Sequence, residues 1–264
     1  MKSGSLFWAV VLILVGVVLL LGNLGVVAVT WGLIWPLVLI AFGIWILWGG
    51  LFAPSSVEVV EDSIPLQGAT SARVRINHGA GRLRIGAGAL TGDLVSGAFG
   101  GGLDKRILHD GDRLDVRMRV PDHGFPFAPW HWARGAFDWT VSFNREVALE
   151  LRLETGASAN HLDLRELRVT DLRLQTGASA TVLRLPATAG QTRARIEAGA
   201  ASVEIHVPDG VAARIRTQAG LAAIKVDTSR FPRTGGEYRS PDYGTAANCV
   251  DLEIEAGVGS VEVK

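Results

Sequence analysis

Several residue groups in this chain have types that would do chemistry if the fold brought them together. His123 and His131, with Asp122 and Asp138, offer imidazole and carboxylate donors suited to zinc or iron. Their spacing follows no standard ligand pattern, so they read as satisfied or solvated side chains. The run Gly97-Ala98-Phe99-Gly100-Gly101-Gly102 has the glycine content of a phosphate loop. It lacks the Gly-Lys-Ser/Thr ending, and no amphipathic helix follows to hold an anion at its N-terminus, so it reads as turn chemistry. Ser158 stands two residues after Gly156, but the second glycine of a nucleophile elbow is missing and the same segment recurs at Gly177 to Ser179. A catalytic serine is not expected to repeat with the fold. Cys249, the single cysteine, borders an apolar strand and reads as a structural thiol. One cysteine also excludes an internal disulfide and any cysteine-based metal cluster within one chain. No catalytic, cofactor-binding or metal-binding residue is nominated, and no cofactor is expected.

The remaining group is aromatic. Residues 121–143 contain Phe125, Phe127, Trp130, Trp132, Phe137, Trp139 and Phe143, interrupted by Pro126 and Pro129. Solvated connections do not normally carry so many large rings. Phe125, Phe127, Trp130, Trp132 and Trp139 form the candidate interaction surface, because such rings are stiff anchors at interfaces and also rest in the headgroup zone of a bilayer. A third reading has them fold back and plug one end of the domain.

These residues must be positioned by two unlike parts of the chain. The 264 residues carry 26 Lys+Arg and 26 Asp+Glu, a neutral balance that gives no electrostatic reason to expect a nucleic-acid partner. Hydrophobic residues make up 48% and the mean hydropathy is +0.27, and the apolar excess is concentrated at the N-terminus. Residues 6–53 contain no charged side chain. A helix over that run would be about 72 Å long against about 30 Å of hydrocarbon, so it predicts two spans. Gly22-Asn23-Leu24-Gly25 marks the break, leaving residues 6–21 and 31–48 to cross, with Trp8, Trp31, Trp35, Trp45 and Trp48 near the span ends. A cleaved signal peptide is the rival reading of the first segment, but no small-residue cleavage site precedes the second. Lys2 favours a cytoplasmic start, which a hairpin converts into a cytoplasmic C-terminal part at the bacterial inner membrane. Gly16, Gly43 and the Asn23 turn are where partner helices would approach closely.

Beyond residue 57 the pattern alternates with period two around recurring glycines. In copies centred on Gly79, Gly156, Gly177, Gly199 and Gly257, apolar residues fall at −5 and −3 and again at +6, joined by +4 or +8. Each copy predicts a strand, a tight turn at the glycine and a second strand, with one face buried. Gly156, Gly177, Gly199 and Gly220 are separated by 21, 22 and 21 residues, a solenoid interval. The copy at residues 221–226 looks slipped by a residue or two, and residues 94–97 offer a further faint copy. The expected fold is all-β, a single-stranded β-helix-like solenoid of glycine-cornered coils preceded by a two-helix transmembrane hairpin. The hairpin occupies residues 1–53, a linker and first cap 54–69, and the β-repeat domain 70–264, with insertions near 121–143 and 227–248. The second insertion, rich in Ser, Pro, Gly and Thr, reads as a solvated loop. Coils that stack must be capped at both ends, where covering loops or self-association are expected.

Two features together carry a resemblance. The spans contain Asn23-Leu24-Gly25 and Trp35-Pro36-Leu37 followed by an apolar run to Gly43, and glycine-cornered β repeats come after them. The chain resembles the bacterial LiaF-like membrane proteins of the cell-envelope stress response, and its C-terminal part is similar to the toastrack β-repeat domains of those proteins and of adhesins. The resemblance implies a non-enzymatic accessory, partnered by the lipid bilayer and by a sensor histidine kinase or other membrane protein. The chain departs from the family in having two predicted spans where members often have four. The alternative is a structural or adhesin-like β-solenoid scaffold at the cell envelope.

Overall fold

The computed structural model describes residues 59–121 and 137–264, together with Leu39 and Gly43 at helical positions. Apart from Leu39 and Gly43, both predicted spans lie outside the described residues, as does most of the aromatic insertion, including Phe125, Phe127, Trp130 and Trp132. The chain divides into two compact units, and the described strands all belong to the one comprising Ser56–Pro126 and Trp132–Lys264. Among the described residues no helix is long and apolar enough to cross a membrane.

From Val59 onward the described residues are all-β. The strands are β1 (Val59–Pro65), β2 (Ser71–Ala87), β3 (Asp93–Gly100), β4 (Asp104–Asp110), β5 (Arg113–Arg119), β6 (Trp139–Phe143) and β7 (Ala148–Asp163). They continue as β8 (Arg168–Arg184), β9 (Gln191–His206), β10 (Ala212–Val226), β11 (Arg233–Thr234), β12 (Glu237–Arg239) and β13 (Cys249–Val263). Six of them, β2, β7, β8, β9, β13 and β10 in spatial order, run parallel and in register, each with a repeat glycine near its middle.

These long strands cannot be straight. The 16 residues of β7 would extend about 50 Å, yet β8 begins beside the start of β7 after only residues 164–167, which reach at most about 17 Å. The chain therefore bends within each strand. The bend falls at the glycine, where Asn160 Nδ2 donates to Thr155 Oγ1 across it at 3.2 Å. Pairing runs through the corner, so the expected separate turn between two strands is replaced by one bent strand. The half-strands before and after the corner form two walls whose inward rows, including Leu151, Leu153, Leu162, Leu172, Leu174 and Leu183, are fully buried in one core.

Glycine permits the corner because successive copies nearly touch. A Cβ at Gly257 would lie 2.8 Å from the Gly199 carbonyl oxygen and one at Gly220 3.0 Å from that of Gly257. One at Gly156 would sit inside van der Waals contact with the Gly79 carbonyl. Gly79 itself meets nothing, since β5 and β6 continue the sheet only on either side of this corner, at Ser71–Asn77 and Leu83–Ala87 of β2.

The register differs from the sequence expectation in four places. β13 lies between β9 and β10, so Gly257 stacks on Gly199 and Gly220 comes last. The copy at 221–226 is not slipped, because Leu221 pairs Val258 and Val226 pairs Val263. The segment at 94–97 is not a coil: β3 is antiparallel to both β1 and β6 and caps one wall. The segment 227–248 is not merely a solvated loop, since Phe231 is fully buried, Tyr238 packs on the core and β12 pairs β10 at Arg214 and Ile215. An exposed first-wall edge left unpaired would strand its backbone polar groups, and this segment covers it.

Gly257→Ala is expected to lower stability by about 1–3 kcal/mol because the Gly199 carbonyl belongs to backbone and cannot swing aside. Gly79→Ala should stay within about 0.5 kcal/mol of the parent. Denaturant midpoints of the detergent-solubilised chain, followed by circular dichroism, compare the two.

Candidate interaction surface

The corner interior is polar at one end of the stack and apolar at the other. In the row just before the glycine, His78 pairs Thr155, which pairs Thr176, and the row continues as Ala198, Ala256 and Ala219. Thr155 Oγ1 donates to Thr176 Oγ1 at 3.0 Å, and Asn160 Nδ2 donates to Thr181 Oγ1 at 2.9 Å. Ser158 and Ser179 pair with each other on the same interior side, so the repeated serines are corner residues and not a reaction centre.

His78 ties the returning limb of the aromatic insertion to this corner. Its Nε2 lies 2.6 Å from the Phe137 carbonyl, to which it donates, and its ring stands 5.5 Å from that of Trp139. Trp139 is fully buried, donates its indole N–H to the Gly100 carbonyl at 3.1 Å, and meets Phe99 edge-on. It is therefore a core anchor and not a member of an exposed aromatic surface. Asp138, considered as a metal donor, instead accepts from the backbone N–H and guanidinium of Arg82 at 3.0 and 2.8 Å. Among the described residues no three His, Cys, Asp or Glu side chains converge as metal ligands. The Gly97 to Gly102 run splits between strand β3 and a turn where Gly101 and Gly102 take positive φ. Cys249 is half-buried at the start of β13.

The outer face of the first wall carries ordered rows of charge that the sequence reading passed over. Four residues before Gly79, Gly156, Gly177 and Gly199 stand Arg75, Arg152, Arg173 and Arg195, and the register extends this row through Arg117 and Arg106 of the cap. Flanking rows supply carboxylates. Arg195 meets Glu197, Glu253 and Glu255 at 2.9, 3.4 and 2.6 Å, while Asp251 pairs both Arg214 and Arg216. Burial pushes the Asp251 carboxyl up, but hydrogen bonds and charge from Arg214 and Arg216 overcome it and hold the group below the usual range. Glu150 behaves the same way between Arg73 and Arg113. The signal was present in the repeat as an arginine at a fixed offset, but its meaning depends on which strands lie side by side.

A second exposed feature is the outer half of β10. β12 covers only Arg214 and Ile215, so β10 beyond Gly220 ends the second wall. Leu221 there is 86% exposed, beside Val258 at 53%.

The family model described as the N-terminal domain of toast_rack, DUF2154, matches residues 53–206, and that of the LiaI-LiaF-like transmembrane region matches residues 6–47. The solved structure of a "putative cell adhesion protein" from Clostridium sporogenes ATCC 15579 is similar over 79% of this chain and 99% of its own, with 19% identity and a TM-score of 0.72. That of a "putative adhesin" from Bacteroides fragilis NCTC 9343 aligns over 80% of this chain and 99% of its own, but at 7% identity and a TM-score of only 0.33. No curated protein matches the chain.

Desolvation lowers the His78 pKa from 6.5, outweighing the hydrogen bond to Phe137 and the charge of Asp138. Unfolded chains therefore take up the proton first as pH falls through 6.5. The stabilisation from the neutral ring is complete above that value and lost below it. The thermal midpoint should fall between pH 7.5 and 5.5, and His78→Gln, which keeps a donor for Phe137 without titrating, should flatten that dependence. Paired melting curves across about pH 5.5 to 7.5 measure the difference.

Proposed function

The chain belongs to the toast_rack family and carries a LiaI-LiaF-like transmembrane region ahead of its β domain, and from that premise we propose a membrane-anchored accessory of cell-envelope stress signalling. The families concerned have no known catalytic activity, and this reading is non-enzymatic. The single observation that carries it is the union of these two matches in one chain, at residues 6–47 and 53–206. The N-terminal region anchors the protein in the bacterial cytoplasmic membrane as a two-span hairpin. The spans dock against the helices of a sensor histidine kinase, with Gly16, Gly43 and the Asn23 turn as points of close approach. The β domain, a single-stranded β-helix-like coil stack, presents its outer wall as a scaffold on the cytoplasmic side.

One observation favours a second reading. β10 leaves a half-strand edge with Leu221 exposed, and stacked coils with such an edge associate with one another. A structural, adhesin-like scaffold is the corresponding function, and the fold shared with the Clostridium sporogenes protein supports that comparison.

Deleting the gene should change a kinase-dependent envelope-stress reporter, and the kinase should co-purify with the full chain from mild detergent. An unchanged reporter with no kinase recovered would sink the signalling role. Paired reporter fusions at Lys264 should report a cytoplasmic C-terminus; an extracytoplasmic signal would favour the adhesin-like scaffold instead.

A further inference from the structure

The arginine row is compensated at one end and not at the other. Arg173 lies 3.6 Å from Asp171, Arg195 is surrounded by three carboxylates, and β13 places Glu253 in the row itself. At the opposite end, Arg106 of β4 pairs Arg117 of β5, and Arg117 pairs Arg75 of β2. Neighbouring strands lie about 4.8 Å apart, and like charges directly opposite destabilise a sheet. Among the described residues no carboxylate comes within 4.0 Å of Arg106 or Arg117, while Arg75 has Asp115 at 3.5 Å and a buried Nε–H without an acceptor.

These three guanidiniums border a cavity of about 620 Å³, also lined by Asn77, Asp104, Lys105, Met118, Arg119 and Glu154. Its two carboxylates are engaged: Asp104 holds Arg119 at 2.6 Å and Glu154 accepts from Asn77 at 2.9 Å. Lys105 is drawn off by Asp62 at 2.7 Å and by the Ser63 carbonyl at 3.0 Å. The lining thus holds five cations against two carboxylates; Arg75 also faces Asp115 at 3.5 Å, so among the described residues the lining charge with no carboxylate within 4.0 Å lies on Arg106 and Arg117.

We propose that the cavity between β4, β5 and β2 binds a phosphoryl oxyanion through Arg75, Arg106 and Arg117. The residue type favours this ligand. Arginine is used at every one of these positions, and its planar fork donates paired N–H groups to phosphate oxygens, which a lysine point charge does not. A tetrahedral oxyanion with several acceptor oxygens can bridge guanidiniums on adjacent strands, turning a repulsive row into a shared site. The phosphoryl group can belong to a free anion or to the headgroup of an anionic lipid, and the chemistry at the three arginines is the same.

The test uses the full chain reconstituted in phosphatidylcholine nanodiscs, titrated with inorganic pyrophosphate, and in matching nanodiscs containing phosphatidylglycerol. The readout is the thermal midpoint of the β domain, which rises when a ligand binds the folded state. Saturable stabilisation by pyrophosphate identifies a free oxyanion as sufficient; stabilisation by phosphatidylglycerol alone identifies the headgroup. The doubly substituted R106Q/R117Q chain should weaken either effect by at least about tenfold in apparent affinity. Arg84→Gln, which removes one arginine charge from the second wall, should leave both effects unchanged. Because relieving the like-charge row favours the sheet, R106Q/R117Q should also melt higher than the parent without ligand, separating loss of binding from loss of folding. Stabilisation by neither probe, or equal weakening by Arg84→Gln, overturns the proposal.

Discussion

The close approach of backbone at the glycine corners is the constraint on which the rest of the structure depends. Each long strand must turn back within its own length, and it does so where a Cβ would press on the carbonyl of the neighbouring copy. Once Gly156, Gly177, Gly199, Gly257 and Gly220 are stacked, the register of every flanking residue follows. A slip of one residue would carry the leucine rows out of the core and the arginine rows into it. The corner therefore specifies both the interior and the pattern displayed on the surface.

The two ends of the stack meet this constraint differently. At β2 the parallel array divides: its first half continues into β5 and β4, its second half into β6, β3 and β1, all but β5 and β6 by antiparallel pairing. Trp139, Phe99 and Phe143 fill the space where the second branch closes over the core. At β10 only the first wall is covered, and the second ends in an open half-strand. The polar corner residues His78, Thr155, Asn160, Thr176 and Thr181 cluster toward the divided end. Thr155, Asn160, Thr176 and Thr181 hydrogen-bond one another laterally and His78 donates to the Phe137 carbonyl, where alanines suffice further along.

Much of this was legible in the sequence, for reasons that also mark the limit. Period-two alternation about Gly156 and Gly177 defines which side chains face inward, because that choice is local to each strand. Strand order is not local. β9 and β13 share Ile-Glu-Ala-Gly, and nothing in the spacing of 21 or 22 residues reveals that the last strand enters between its predecessors. Trp139 sits in the same aromatic run as Trp130 and Trp132, and its burial against Phe99 and His78 cannot be read from that run. The arginines at the −4 position were visible in the copies at Gly79, Gly156, Gly177 and Gly199, but a row exists only after the copies are placed side by side.

That distinction also changes the meaning of a neutral chain. Equal numbers of basic and acidic residues set the far field, which governs attraction to an extended polyanion. At physiological salt charges are screened over about 8 Å, whereas neighbouring positions in the row are about 5 Å apart. Each arginine therefore responds to the side chains on adjacent strands more than to the total. Around Arg195 those neighbours are glutamates; around Arg117 they are Arg75 and Arg106. Zero net charge thus conceals a compensated end and an uncompensated one, and local electrostatics must be read from the sheet register, strand by strand.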